Sequence, residues 1–202
     1  MNERPKALAV YRAVIELMDE GADLNSMTVS EIAERAGIGK GTAYEYFSSK
    51  EDMVASAILY DINRLTGEVS RLIEKEATFE KKIYQIFDCM AQYPEGNRSF
   101  SNFIRVINHS FELGRPLCQE VERRQAEIQG PYQVLTELYD TAIQEGLAKG
   151  GLPRTMAILT LVSKFMMYLM YLEKREKATD VTEEEIRRFI YQGILADINL
   201  NW

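Results

Sequence analysis

Apolar residues recur along this chain at three- and four-residue spacing, and strict apolar–polar alternation does not appear. That periodicity predicts helices and no strands. Val10, Tyr11, Val14, Ile15, Leu17 and Met18 give a broad stripe closed by Gly21. Val29, Ile32, Ala33 and Ala36 give a shorter one. Thr28 precedes it and Glu31 follows three residues later, the spacing of a capping box. Gly37 stands where a helix end needs a residue at positive φ. A helix from about Gly39 to Tyr46 follows, with Phe47 packing back and Ser48 or Ser49 capping the next. That next helix runs from Lys50 through Met53, Val54, Ala57, Ile58, Ile62, Leu65, Val69, Leu72 and Ile73 to a break at Ala77–Thr78.

Beyond the break, Phe79, Ile83, Ile86, Phe87 and Met90 predict a helix ending near Tyr93–Pro94, then a loop over 95–99. Phe100, Phe103, Ile104, Ile107 and Phe111 predict an aromatic helix stopped by Gly114 and Pro116. Residues 117–147 read as helical, interrupted at Gly130–Pro131. Residues 157–172 form the most apolar helix, and 183–200 the last, capped by Asp180 or Thr182. The fold class is all-α, with about nine helices.

The two short helices around Gly37 form a helix-turn-helix. Lys40, Gly41, Thr42, Tyr44 and Tyr46 are expected on the outward side of the second. A lysine neutralises phosphate, a threonine meets a base edge, and tyrosine hydroxyls donate to phosphate oxygens. Gly41 lets the backbone approach a groove. Lys50, in the first turn of the next helix, is placed to reach phosphate. The bland alternative is a structural hairpin that carries a lysine and two tyrosines by chance.

The run A-G-I-G-K-G-T-A-Y-E-Y-F followed by S-K-E, preceded by T-V-S-E-I-A-E-R-A-G, resembles the DNA-binding signature of the TetR family of bacterial transcriptional regulators. The resemblance is carried by the first quarter of the chain; beyond it only length and helix count agree. It implies a DNA-binding domain over residues 1–49 and a larger helical domain over 50–202 that dimerises and holds a small inducer. By position, Thr28, Tyr44, Tyr46 and Lys50 correspond to phosphate contacts, and Lys40, Gly41 and Thr42 to groove readers. Two positions depart from the usual pattern. Gly39 stands where serine or alanine is frequent, which removes a side-chain cap from the recognition helix. Tyr46 stands where histidine is most frequent.

Composition changes this picture only locally. The chain has 202 residues, 46% of them hydrophobic, and a net charge of −7. A folded body with a sizeable core follows. The acidic balance argues against a uniformly basic nucleic-acid binder, but segment 38–50 holds two lysines, Lys40 and Lys50, against one glutamate, Glu45. Marked salt dependence and moderate non-specific affinity are expected. Arg4 and Lys6 are either solvated charge or a basic arm for the minor groove. Cys89 and Cys118 are far apart and show no ligand pattern, so neither a disulfide nor a zinc site is expected. Glu3, Glu16 and Asp19 interrupt the first apolar stretch, so no signal peptide is read there. Residues 156–172 are at the short limit for a membrane span and contain Lys164, so a buried helix is expected, and a cytoplasmic location with it.

Candidates for a ligand pocket are Met90, Tyr93, Phe103, Ile107, His109, Phe111, Met166 and Met170. Methionine and aromatic side chains suit adaptable hydrophobic pockets and suit an ordinary core equally. Arg105 and Asn108 offer polar groups for an anionic head group. Helix 157–172 is apolar nearly all round and must be covered on more than one side. By resemblance it pairs with the last helix in a dimer contact through Leu161, Phe165, Tyr168, Leu172, Phe189, Ile190 and Ile194. No nucleophile motif, phosphate loop or metal constellation is present, so neither an enzyme nor a cofactor is expected. The sequence reads as a dimeric repressor that binds a palindromic DNA operator and is released by a small, hydrophobic effector. The alternatives are an architectural or nucleoid-type DNA-binding factor of the same fold without an inducer, and an all-α ligand-binding or enzymatic protein in which the hairpin is only structural.

Overall fold

The computed structural model describes residues 5–24, 26–91, 119–120, 123–124, 130–148 and 151–200. Among them are eight helices and no strand: α1 (Pro5–Asp19), α2 (Val29–Arg35), α3 (Lys40–Tyr46), α4 (Lys50–Ile73), α5 (Phe79–Ala91), α6 (Gly130–Gln144), α7 (Arg154–Lys174) and α8 (Glu183–Ile198). The chain divides into two compact units. One holds the residues up to Leu65 and the described part of 97–129. The other holds the described part of 66–96 and everything from Gly130 onward. The boundary expected at 49/50 falls at the α3–α4 junction, within the first unit.

In the first unit, Val10, Ala13, Val14, Ile32, Ala43, Phe47, Met53, Val54 and Ile58 form one buried cluster. Most of them belong to helical stripes visible in the sequence. Ala43 is fully buried, so α3 touches its neighbours through a methyl group and lies close to them. Phe47 closes the cluster from the far end of α3, with the Tyr11 ring edge-on at 5.8 Å. Arg35 at the end of α2 grips both oxygens of Glu20 at 2.7 and 2.8 Å, which braces α2 against the segment after α1.

The second unit packs α5, α6, α7 and α8 around Phe79, Ile83, Phe87, Leu138, Leu161, Tyr168, Ile190 and Ile194. Cys89 is buried there too, and burial pushes its thiol pKa up. A polar network crosses this core. The Tyr168 hydroxyl donates to Glu183 at 2.9 Å and accepts from Arg187 Nε at 2.8 Å, and Arg187 also reaches Asp88 on α5 at 2.6 Å. One guanidinium thus fixes the register of three helices. Gly193 on α8 leaves a notch that the Lys164 stem crosses on its way to Asp197, 3.0 Å away. A Cβ at Gly193 would lie 2.8 Å from the Lys164 nitrogen.

Several boundaries sharpen. Of the two caps proposed for the last helix, Thr182 is used, in a full capping box with Glu185. The most apolar helix begins at Arg154 because Arg154 and Thr155 continue it beyond the apolar stripe. Gly130–Pro131 stands at the start of α6. The predicted loop at 95–99 and the aromatic helix at 100–111 lie outside the described residues.

Candidate nucleic-acid interface

The two helices of the hairpin owe their angle to one turn. The Ile38 N–H donates to the Ala33 carbonyl at 3.0 Å and the Gly37 N–H to the Glu34 carbonyl at 3.1 Å. This paired closure requires a left-handed residue between them, and Gly37 sits at φ +67. At the other end of α2 the capping box is complete. The Glu31 N–H donates to the Thr28 hydroxyl at 3.2 Å, and both the Thr28 N–H and its hydroxyl donate to Glu31, at 2.7 and 2.8 Å. Those bonds hold the Glu31 carboxyl below its ordinary range.

On this frame the seven candidate residues fall into different situations. Lys40 and Gly41 are exposed at the start of α3, and Tyr44 is 49% exposed one turn on. A Cβ at Gly41 would meet nothing within 4 Å, so its absence relieves no crowding within the protein. Gly39 caps α3 with backbone alone, as its sequence implied. Thr42 and Tyr46 are half-buried, and Tyr46 packs against the core beside Phe47 with ring centroids 6.5 Å apart. Tyr46 is therefore less outward than its place in the motif suggested. Its neighbours in sequence pull it inward because a seven-residue helix anchored by Ala43 and Phe47 has a narrow free face. The Thr28 hydroxyl has already given its proton to Glu31, so donating to a phosphate means breaking the capping box. Lys50 reaches back to the Leu24 carbonyl at 3.4 Å. Arg4 lies outside the described residues; Lys6 is exposed on α1.

The junction after α3 holds a cluster that the sequence did not announce. Ser49 accepts from the Asp52 N–H at 3.1 Å, and one oxygen of Asp52 accepts from the Ser48 N–H at 2.9 Å. The other oxygen accepts from Arg124, 72 residues away in sequence, at 3.3 Å, and Arg124 also donates to Ser56. Arg124 and Asp52 are about four-fifths buried at the side chain. Only the Ser-x-x-Asp spacing of the cap was visible in sequence; an arginine at long range leaves no periodic signal.

Residues 16–57 match the family model "Bacterial regulatory proteins, tetR family". The chain belongs to the TetR family. As a TetR-family protein it is a helix-turn-helix transcription regulator. It is 25% identical over 156 residues to the fatty acid metabolism regulator protein of Bacillus subtilis (strain 168), covering 77% of each chain. Its fold is similar to the fatty acid degradation regulator FadR of Bacillus halodurans, at 18% identity and a TM-score of 0.70, covering 96% of this chain and 97% of that one. It is also similar to FadR of Bacillus subtilis in complex with stearoyl-CoA, at 19% identity and 0.66, covering 95% and 97%. A three-helix head followed by a larger helical body is common to this chain and these TetR-family structures.

The remaining candidates lie in the second unit or outside the description. Met90 is buried, Met166 half-buried and Met170 55% exposed. Tyr93, Phe103, Ile107, His109 and Phe111 fall outside the described residues, as do Arg105 and Asn108. Of the residues assigned to the dimer contact, Leu161, Phe165, Tyr168, Ile190 and Ile194 are already buried by their own chain. Leu172 is half-buried, and Phe189 stands 62% exposed. Those five are taken up by the unit's own core: periodicity shows that α7 is apolar on two sides but not which side faces inward. The face left open on α7 carries Leu159, Val162, Met167 and Met170. By length and composition α7 is also long and apolar enough to cross a membrane; its inner face is spent on the unit's own core.

Proposed function

We propose that this regulator is a dimeric repressor that releases its operator on binding a long-chain acyl thioester. Residues 1–49 form the DNA-reading head, and 50–202 dimerise and hold the effector. The observation that carries the DNA half is the exposed side of α3. Lys40, Gly41 and Tyr44 stand free on it, backed by a buried Ala43 and a turn fixed at Gly37. Lys40 and Tyr44 contact phosphate and groove, with Thr42 beside them. Tyr46, Lys50 and Thr28 contribute at the margins, each from a position already engaged within the protein.

Dimerisation is supported by the open apolar face of α7 and the exposed Phe189 of α8. A run of leucine, valine and methionine left uncovered on one helix marks an association surface. A two-fold axis doubles the contacts of a single head and pairs them with a palindromic site. The effector class is supported by the fatty-acid regulators among the relatives and by the stearoyl-CoA bound to FadR of Bacillus subtilis. It agrees with the methionine and aromatic candidates in the middle of the chain, such as Met90, Tyr93 and Phe103. The effector acts by binding two arrangements of the dimer unequally. Such a regulator works in the cytoplasm, where the DNA is.

The test is a fluorescence-anisotropy titration against DNA from upstream of the gene and its neighbours, at two salt concentrations. Tyr44→Ala serves as control, and stearoyl-CoA and free coenzyme A are then added. Tight, salt-sensitive binding by two protomers or a multiple of two, lost in Tyr44→Ala and reversed by stearoyl-CoA alone, supports the proposal. Binding that no acyl thioester alters removes the effector class. Binding no tighter than to random DNA, with every upstream region tried, removes the operator.

A further inference from the structure

The acidic residue on the recognition helix is unaccounted for by the fold. Glu45 is exposed on α3, between Tyr44 and Tyr46. Among the described residues no hydrogen bond or ion pair holds it. The nearby cations are spent or out of register. Arg35 grips Glu20, Lys50 reaches the Leu24 carbonyl, and Lys40 is five residues back, off the i,i+4 spacing of a helical ion pair. Glu45 also lies in the last turn of α3, where the helix dipole disfavours a negative charge. On a surface that meets phosphate, a carboxylate costs further affinity. Neither folding nor general DNA attraction explains it.

Its direction does. Ala43 and Phe47, the two residues that anchor α3, are each two positions from Glu45. At about 100° per residue, Glu45 points about 160° away from Ala43, and Phe47 leaves the helix in extended backbone to close the core beyond it. Gly41, one turn earlier, lies beside it with no side chain. The outermost line of the helix is thus a glycine followed by a carboxylate, flanked by Thr42 and Tyr44. When α3 lies in a major groove, that line faces the base edges.

A carboxylate accepts hydrogen bonds and donates none. Along the major-groove edge, guanine offers two acceptors and thymine an acceptor with a methyl group, and both repel it. Adenine pairs its amino donor with an adjacent acceptor. Cytosine offers its amino donor alone. We propose that Glu45 selects a cytosine at one position in each operator half-site, excluding the other bases by repulsion as much as by its own hydrogen bond. This rests on the operator-binding proposal above and adds the base that the head reads.

The test is selection from a pool of randomised duplex DNA by the full-length protein, Glu45→Gln and Glu45→Ala, followed by titration of the selected site. The wild-type protein is expected to enrich a two-fold site with an invariant C·G pair in each half. Replacing that cytosine should weaken wild-type binding by about tenfold per half-site. Glu45→Ala should keep the rest of the site, lose that preference, and bind random DNA at least as tightly as the wild type. Glu45→Gln, nearly isosteric and able to pair with adenine, should shift the preference to adenine. An enriched site identical for all three proteins overturns this proposal and leaves operator binding standing. No enriched site for the wild type overturns both.

Discussion

Tyr44 and Tyr46 show how far two equivalent-looking side chains diverge. Both are tyrosines on a seven-residue helix, two positions apart, yet Tyr44 is free and Tyr46 leans on the core. Tyr44→Ala should lower operator affinity about tenfold or more while leaving the thermal midpoint within a degree or two, checked by anisotropy and calorimetry on the same preparation. Gly37→Ala should do the opposite kind of damage. It forces a Cβ into the left-handed region at φ +67 and should cost roughly 1 kcal/mol in a denaturant titration. The conformational demand at Gly37 was legible in the sequence, because a glycine one residue past a helical stripe is the usual mark of a left-handed helix end. The inward lean of Tyr46 was not, because it depends on where Ala43 and Phe47 anchor the helix.

The helices themselves were read well where capping and periodicity agree, at α2, α4 and α8. The two capping boxes also set an acid response. Hydrogen bonds from Thr28 and Thr182 hold Glu31 and Glu185 below the ordinary carboxylate value of 4.5. A carboxylate depressed in the folded state stabilises fully above its unfolded pKa and loses that contribution as pH falls through the folded one. The part of the thermal midpoint that these two groups set should therefore be flat above about pH 5 and fall below about 4.5. Glu31→Gln with Glu185→Gln should flatten part of that fall, as thermal melts from pH 3 to pH 7 would show. The tie between Arg124 and the α3–α4 junction belongs to this scale as well. Removing it as Arg124→Ala leaves Asp52 and Ser56 without a largely buried partner and should cost roughly 1.5–3 kcal/mol. Hydrogen exchange should then rise first at Ser48, whose N–H depends on the same carboxylate. Nothing in a sequence of helical stripes joins residue 52 to residue 124.

For the whole molecule, the decisive surface is the one that periodicity could not orient. Helix α7 carries two apolar faces, one spent on Leu161, Phe165 and Tyr168 inside the chain and one open at Leu159 and Met170. Leu159→Glu with Phe189→Glu is expected to give a folded monomer by analytical ultracentrifugation, with unchanged helical content and operator affinity reduced by a factor of about a hundred or more. A dimer that survives both changes would move the contact elsewhere. The buried counterpart, Tyr168→Phe, should leave the dimer intact and lower stability instead, since Arg187 and Glu183 lose a shared partner.

The path of the chain through its first unit has a consequence for anyone building hybrids. That unit takes in residues well beyond its helix-turn-helix, and Arg124 returns to it after an excursion through the other. A graft cut at residue 49 separates Ser48 from Asp52, and one cut at residue 65 leaves Arg124 behind with the rest of its own chain. Exchanging the DNA-reading head between relatives therefore takes two segments, not one. A single-junction chimera inherits whichever residue the recipient happens to carry opposite Asp52.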